Sequence, residues 1–206
     1  MKLRWEGHSC FLIDDTVVTD PYHEGLGFDL PSIRAKVVTL SHNHFDHNAA
    51  EVIKGHPLVL SGDVDCEAAG VKFRTVATYH DEVHGQKRGQ NRVFVIETKD
   101  AVVCHMGDVG EPCTPAIAKA IGKVDVLLVP VGGTYTVDAL GAKAYVDALS
   151  PRWVVPMHYR TEDCTLDIAT VDGFIRLFPT QSVVSVKGNE ITLRAEAGAT
   201  QVVLFA

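Results

Sequence analysis

Three imidazoles and a carboxylate are packed into the segment Ser41-His42-Asn43-His44-Phe45-Asp46-His47. In extended backbone, residues i and i+2 share a face, so His42 and His44 can grip one cation. A turn through Phe45 then lets Asp46 and His47 face a second position nearby. Donors crowded this closely compete for water and repel one another on protonation, and a bound divalent cation makes such crowding favourable. The chain carries ten histidines, an excess that points toward metal or proton chemistry. A solvated His-rich turn is the alternative reading.

This segment follows the apolar run Val37 to Leu40 and precedes a helical stretch expected over Asn48 to Lys54. Similar short runs, bounded by turn residues, predict strands over 9–13, 16–19, 36–40, 58–60, 71–78, 92–97, 101–104, 124–129, 152–155, 182–186, 191–194 and 201–205. Val137, Leu140, Ala144, Val146 and Leu149 recur near a 3.6 period behind Thr136, which predicts a capped helix over 137–149. Further helices are expected over 115–121 and 166–177. Strand-rich ends with helices between them argue for a layered sheet-and-helix domain.

With 206 residues, 46% apolar and 22% charged, the chain fits one compact domain, residues 1–206, with its own core. Acidic residues outnumber basic ones 26 to 19, for a net charge of −7. That sign opposes general attraction to nucleic acid. The five cysteines are widely spaced and form no Cys-x-x-Cys pair, which fits reduced thiols in the cytoplasm rather than a disulfide framework or zinc ribbon. No run approaches the length of a signal peptide or membrane span, so no membrane role is expected.

The His-x-His-x-Asp-His motif at a strand end resembles the signature of the metallo-beta-lactamase-fold hydrolases. Further likeness to a short cytosolic branch of metal-dependent hydrolases lies in Gly7-His8-Ser9-Cys10-Phe11-Leu12-Ile13, Thr19-Asp20-Pro21-Tyr22, His105-Met106-Gly107-Asp108, Pro130-Val131-Gly132-Gly133 and Pro156-Met157-His158-Tyr159. The resemblance implies a four-layer αββα sandwich of α/β (α+β) class with a metal centre along one edge. It also implies a later histidine, a bridging aspartate and a final histidine, matched in order by His80, Asp108 and His158. His42, His44 and His80 would hold one ion and Asp46, His47 and His158 the other, with Asp108 and a water between them. Two divalent ions per chain are expected, Zn2+ first, with Mn2+ or Fe2+ as alternatives. His84, four residues beyond His80, is the rival ligand; His80 is preferred because it directly ends the strand.

Asp20 can accept a proton from the outer nitrogen of a ligand histidine, or simply end its strand in an Asp-Pro turn. His8 and His105 either line the site or pack in the interior. The polar stretch 81–91 is read as a lid in which Lys87 and Arg88 meet an anionic substrate, or as an exposed hairpin tip. Gly132-Gly133-Thr134-Tyr135-Thr136 offers backbone N–H groups to an oxyanion, with Tyr135 nearby, or serves as an ordinary helix cap. Two ions sharing a water bring its pKa from about 15.7 toward about 7, and Asp46 would orient that water and pass a proton to the leaving group.

The resulting expectation is hydrolysis of an ester, lactone, amide or phosphodiester bond in a small, anionic substrate. An iron-dependent oxidoreductase of the persulfide dioxygenase type and a metal-bound sensor without turnover are the alternatives, and a homo-oligomer is possible. By analogy with the family, the chain lacks the inserted domain or basic arm of its nucleases and the helical domain of its glutathione thioester hydrolases. Replacing His80 with Ala is expected to remove about one ion per chain by metal analysis, with His84→Ala leaving content unchanged; the reverse result would transfer the role to His84.

Overall fold

A computed structural model describes residues 1–30, 32–196 and 198–205. Its strands are β1 (Lys2–Trp5), β2 (Phe11–Ile13), β3 (Val17–Thr19), β4 (Val37–Leu40), β5 (Leu58–Ser61), β6 (Asp65–Ala68), β7 (Val71–Tyr79), β8 (Gln90–Glu97), β9 (Val102–His105), β10 (Val126–Pro130), β11 (Trp153–Met157), β12 (Val183–Val186), β13 (Glu190–Thr192) and β14 (Gln201–Phe205). They form a six-stranded sheet in the order β13-β1-β2-β3-β4-β5 and an eight-stranded sheet in the order β12-β14-β11-β10-β9-β8-β7-β6. One large apolar cluster draws on both sheets, including Leu3, Phe11, Ile13, Phe73, Phe94, Leu127 and Val155. Every residue of β10 is buried, as expected for a parallel strand covered on both faces.

Strand direction decides where chemistry can gather. In the six-stranded sheet, β3, β4 and β5 are parallel; in the other, β9, β10 and β11 are parallel. Because β7 is antiparallel to β8 and β8 to β9, β7 runs with β9. The loops leaving β3 and β4 share one edge of their sheet, and those leaving β7, β9, β10 and β11 share one edge of theirs. Carboxyl ends of parallel strands are where open α/β sheets form their ligand crevices.

Helices α1 (Pro115–Ile121), α2 (Ala139–Leu149) and α3 (Asp172–Ile175) pack on the eight-stranded side, α1 against β7 and α2 against β10. Thr114 caps α1 by accepting from Ile117 N–H, with Pro115 in the first turn, the usual N-terminal chemistry. The outer face of the six-stranded sheet is covered by a second apolar cluster containing Tyr22, Leu26, Ile33 and Ile53 and a 3-10 turn over Ala50–Val52. That layer of the sandwich is thus built mainly from loop.

Several expectations shift at their boundaries. The helix expected from Val137 begins at Ala139, because Asp138 rather than Thr136 accepts from Gly141 N–H at 2.9 Å; the Thr136 hydroxyl donates instead to the Val137 carbonyl. The stretches 48–54 and 166–177 shorten to one 3-10 turn and the four-residue α3. Strands β1 and β6 were not expected, since Lys2, Arg4, Asp65 and Glu67 break the apolar pattern at edge or near-edge positions. Gly107, at φ +54°, brings the β9 loop so close to the motif loop that an added Cβ would lie 2.3 Å from Asn91 Oδ1 and 2.5 Å from Ser41 Cβ. Gly107→Ala is therefore expected to destabilise the fold by roughly 1–3 kcal/mol, read from the urea midpoint at unchanged slope.

Candidate metal centre

The motif loop is pinned from below by Asp20, whose carboxylate is fully buried. Its Oδ1 accepts from Ser41 N–H at 2.8 Å, and its Oδ2 accepts from the Ser41 hydroxyl and lies 2.8 Å from His47 Nδ1. A proton held on Nδ1 by that carboxylate leaves Nε2 of His47 as the free donor atom. The structure thus places Asp20 where the tautomer-fixing role requires. Ser41, overlooked in the sequence because a serine beside a histidine carries little signal, also contacts His42 Nδ1 at 2.9 Å.

The remaining side chains converge from the other sheet. His80, just beyond β7, sets Nδ1 3.0 Å from the Tyr135 carbonyl, which turns its Nε2 to within 3.1 Å of Asp108 Oδ2. His158, at φ +50° after β11, places Nε2 3.2 Å from the same oxygen. An added Cβ on Gly132 would lie 2.2 Å from the His158 carbonyl oxygen, so only glycine permits that approach of the β10 loop. Asp108 Oδ1 is 3.2 Å from His47 Nε2, and Oδ2 is 3.8 Å from His42 Nε2. One carboxylate therefore reaches both halves of the cluster.

Among the described residues three groups of donor atoms lie within 4.8 Å of one another: His42, His44 and His80; His8, Asp46, His47 and His158; and Asp20, His42 and His47, the last of which contains the Asp20 contact that orients His47. Nε2 of His42, His47 and His158 and Oδ1 of Asp108 are buried without a hydrogen-bond partner. Unpaired buried polar atoms are costly, and imidazole nitrogens with carboxylate oxygens are the donor set that zinc, manganese and iron accept. The residues present therefore fit a divalent-ion centre.

The electrostatics agree. Burial, and next the neighbouring His47, push the His42 imidazole down to about 3; burial and then His80 lower His44. Such rings are neutral and ready to coordinate. Burial opposes ionisation of Asp108, yet His158 and His47 hold it well below the usual carboxylate range. His47 is the converse: burial disfavours its charge, but Asp108 and Asp46 raise its pKa well above the ordinary value. The two carboxylates that raise it mark the negative potential that a cation would neutralise.

A pocket of about 450 Å³ opens onto the cluster, walled by Phe45, Asp46, His80, Arg88, Asp108, Tyr135, His158 and Leu166, with Asn43 and His44. Arg88 lies 5.4 Å over the Tyr135 ring and donates to the Thr134 carbonyl at 3.0 Å. Lys87 is absent from the wall and pairs with Glu82. The lid reading of 81–91 gives way to an ordered turn, because buried Asp81 accepts from the N–H groups of Val83, Gly85, Lys87 and Arg88 at 2.8–3.0 Å. Burial alone would raise its pKa, but those four N–H groups bring it to about 2.

Gly132–Thr136 likewise serves the site through the Tyr135 carbonyl rather than as a helix N-terminus. His84 is exposed against Tyr79 and belongs to none of these donor groups. His105 sits behind the site, its Nε2 2.9 Å from the Ser9 carbonyl. Asn91, read in the sequence only as the end of the polar stretch 81–91, donates to Thr78 and the Met106 carbonyl and accepts from Asp108 N–H. It thereby fixes the loop that presents Asp108.

A family model described as a beta-lactamase superfamily domain matches residues 2–158. A UPF0173 metal-dependent hydrolase of Pyrobaculum arsenaticum is 27% identical over 78% of this chain and 85% of its own length. A UPF0173 protein of Pyrococcus furiosus is 30% identical over 78% of this chain and 84% of its own. Among solved structures, a candidate Zn-dependent hydrolase of the metallo-beta-lactamase superfamily from Thermotoga maritima is 37% identical, with a TM-score of 0.83 over 99% of this chain and 97% of that one. With the histidine-aspartate motif at the end of β4 and the two-sheet sandwich around it, these similarities lead to one assignment: the chain belongs to the metallo-beta-lactamase superfamily.

Proposed function

We propose that the protein is a metal-dependent hydrolase that cleaves an ester, lactone, amide or phosphodiester bond in a small anionic molecule. In this reading two divalent ions, zinc first, are held by His42, His44 and His80 on one side and by Asp46, His47 and His158 on the other, with Asp108 shared. The observation that carries it is the convergence of buried, unpartnered His42, His47 and His158 Nε2 atoms on the Asp108 carboxylate. Divalent ions bound by these residues would supply Lewis acidity, the chemistry that lowers the pKa of water from about 15.7 toward about 7.

The chain's own residues do the rest. Asp46 lines the pocket, and although burial opposes its charge, His47 beside it holds the carboxyl well below its usual range. As an ionised acceptor it orients the attacking water, and it would pass a proton to the leaving group only once displaced from the metal. Asp20 and the Tyr135 carbonyl lock His47 and His80 in the tautomers that leave Nε2 free. Among the described residues Arg88 is the one Arg or Lys side chain in the pocket wall, so it binds the substrate's negative group, with Phe45, Tyr135 and Leu166 giving apolar contact. A pocket of this size suits a small molecule. The free cysteines, including buried Cys10 and Cys104, fit a reducing compartment such as the cytoplasm. Among the described residues no helix is long and apolar enough to cross a membrane.

The test is a metal-reconstituted activity screen over phosphodiesters, lactones, esters and amides, with His47→Ala as the blank. Turnover lost in that variant and on chelation supports the reading. Ligands that raise thermal stability without any turnover would favour a sensor, and a coloured iron protein purified without added metal would favour oxygen or sulfur redox chemistry.

Once a substrate is found, Arg88→Ala is expected to raise KM by roughly 10- to 100-fold with a smaller change in kcat. Asp81→Asn, which weakens the turn holding Arg88, should shift KM in the same direction; unchanged KM in both variants would remove Arg88 from substrate binding.

A further inference from the structure

His8 stands 38 residues upstream of Asp46 in the chain, yet its side chain is 1% exposed and part of the cluster. It occupies the turn after β1 at φ +50°, a backbone region that residues other than glycine seldom adopt. The Trp5 indole donates to its carbonyl at 3.0 Å. The preceding Gly7, at φ +102°, lies so close to Tyr22 that an added Cβ would be 2.9 Å from its hydroxyl. The turn is therefore held from two sides in a conformation that aims the imidazole inward.

Around Asp46 Oδ2, the Nε2 atoms of His8, His47 and His158 lie at 3.3, 3.4 and 3.9 Å. Donors at about 2.0–2.1 Å from a tetrahedral ion are separated by about 3.3–3.5 Å along each edge; His8 and His47 stand at that separation from Asp46, His158 stands somewhat beyond it, and all four ligand atoms lie within 4.8 Å of one another. The His8 ring packs against those of His158 and His47, with centroids at 4.3 and 5.1 Å, so its neighbours are other imidazoles of the cluster rather than apolar side chains. His8 and His47 are missing from the pocket wall, whereas Asp46 and His158 form part of it. His8 thus approaches from the protein side.

Resting on the metal-centre reading above, we infer that His8 is an additional protein donor, beside Asp46, His47, His158 and the shared Asp108, to one of the two ion positions. The two positions are then unequal. Apart from Asp108, one has four donors of its own, all buried; the other has three, His42, His44 and His80, of which two are only partly buried, so it keeps more room for a substrate atom. The alternative is that His8 merely donates a hydrogen bond to Asp46 and positions it.

Cadmium-113 NMR of the apoprotein titrated with cadmium alone separates these roles, because the shift reports the nitrogen and oxygen donors at each ion. The wild type should give two resonances. His8→Ala should move one of them, leave the other in place and weaken uptake at the moved site by about 100-fold or more. His8→Gln, whose amide can still donate to Asp46, should show the same displacement. Two unmoved resonances in His8→Gln would overturn the inference and make His8 a positioning residue, while leaving the metal centre intact. If the wild type itself binds no cadmium, the metal-centre reading fails and the inference falls with it. Circular dichroism of both variants separates loss of a ligand from loss of the fold, and a folded His8→Gln protein alone suffices for the decision.

Discussion

A carboxylate with no access to solvent must find all its hydrogen bonds inside the protein, and Asp20 finds them in the motif loop. That requirement ties the end of β3 to the end of β4 and fixes the Ser41 backbone, the Ser41 hydroxyl and the His47 ring in one arrangement. Burial raises the cost of the Asp20 charge, and the facing His105 and His47 more than offset it, keeping its pKa below the ordinary value. Without this anchor, the crowded imidazoles of the loop would have no reason to stay convergent. The charge is stabilised only while its partners remain in place.

The same device recurs at each loop of the site. Asp81 gathers four backbone N–H groups and so turns a polar stretch into a firm support for Arg88. Asn91 bridges β7, β9 and the Asp108 backbone, and the Tyr135 carbonyl sets the His80 ring. Loops built this way present side chains with little conformational freedom left to lose on binding. The strained turns at His8, Asp20 and His158, all at positive φ, fit the same pattern of local cost borne at a functional site.

Much of the fold was legible because strands of Val, Leu and Ile between turn residues have few other solutions, and twelve expected runs correspond to strands that the structure contains. The losses are informative. β1, second from its sheet edge, and β6, at its sheet edge, interleave charged residues with the others, so no apolar run marks them. The helix expected at 48–54 is only a 3-10 turn, since loop packing against Tyr22 and Ile53 covers that side of the sheet. Within the site, the motif histidines were readable from their type and spacing, and His80, Asp108 and His158 only through the family resemblance and the order it implies. Ser41, Asn91 and the Tyr135 carbonyl were not, because they act through hydrogen bonds and have no distinctive type or spacing.

What the chain's residues alone determined was the chemistry: a donor set for divalent ions, concentrated in one short motif after an apolar strand, with enough apolar sequence around it to build two sheets. Local spacing carries that information because neighbours in sequence are neighbours in space across one turn. Tertiary structure alone decided how the distant side chains meet. It set His80 in a donor group and left His84 exposed, gave the pocket Arg88 and withheld Lys87, and carried His8 into a donor group from the turn after β1. Those outcomes depend on strand direction, on the register of β7 against β8 and on buried polar atoms finding partners across loops. All of these are long-range constraints that no local pattern encodes.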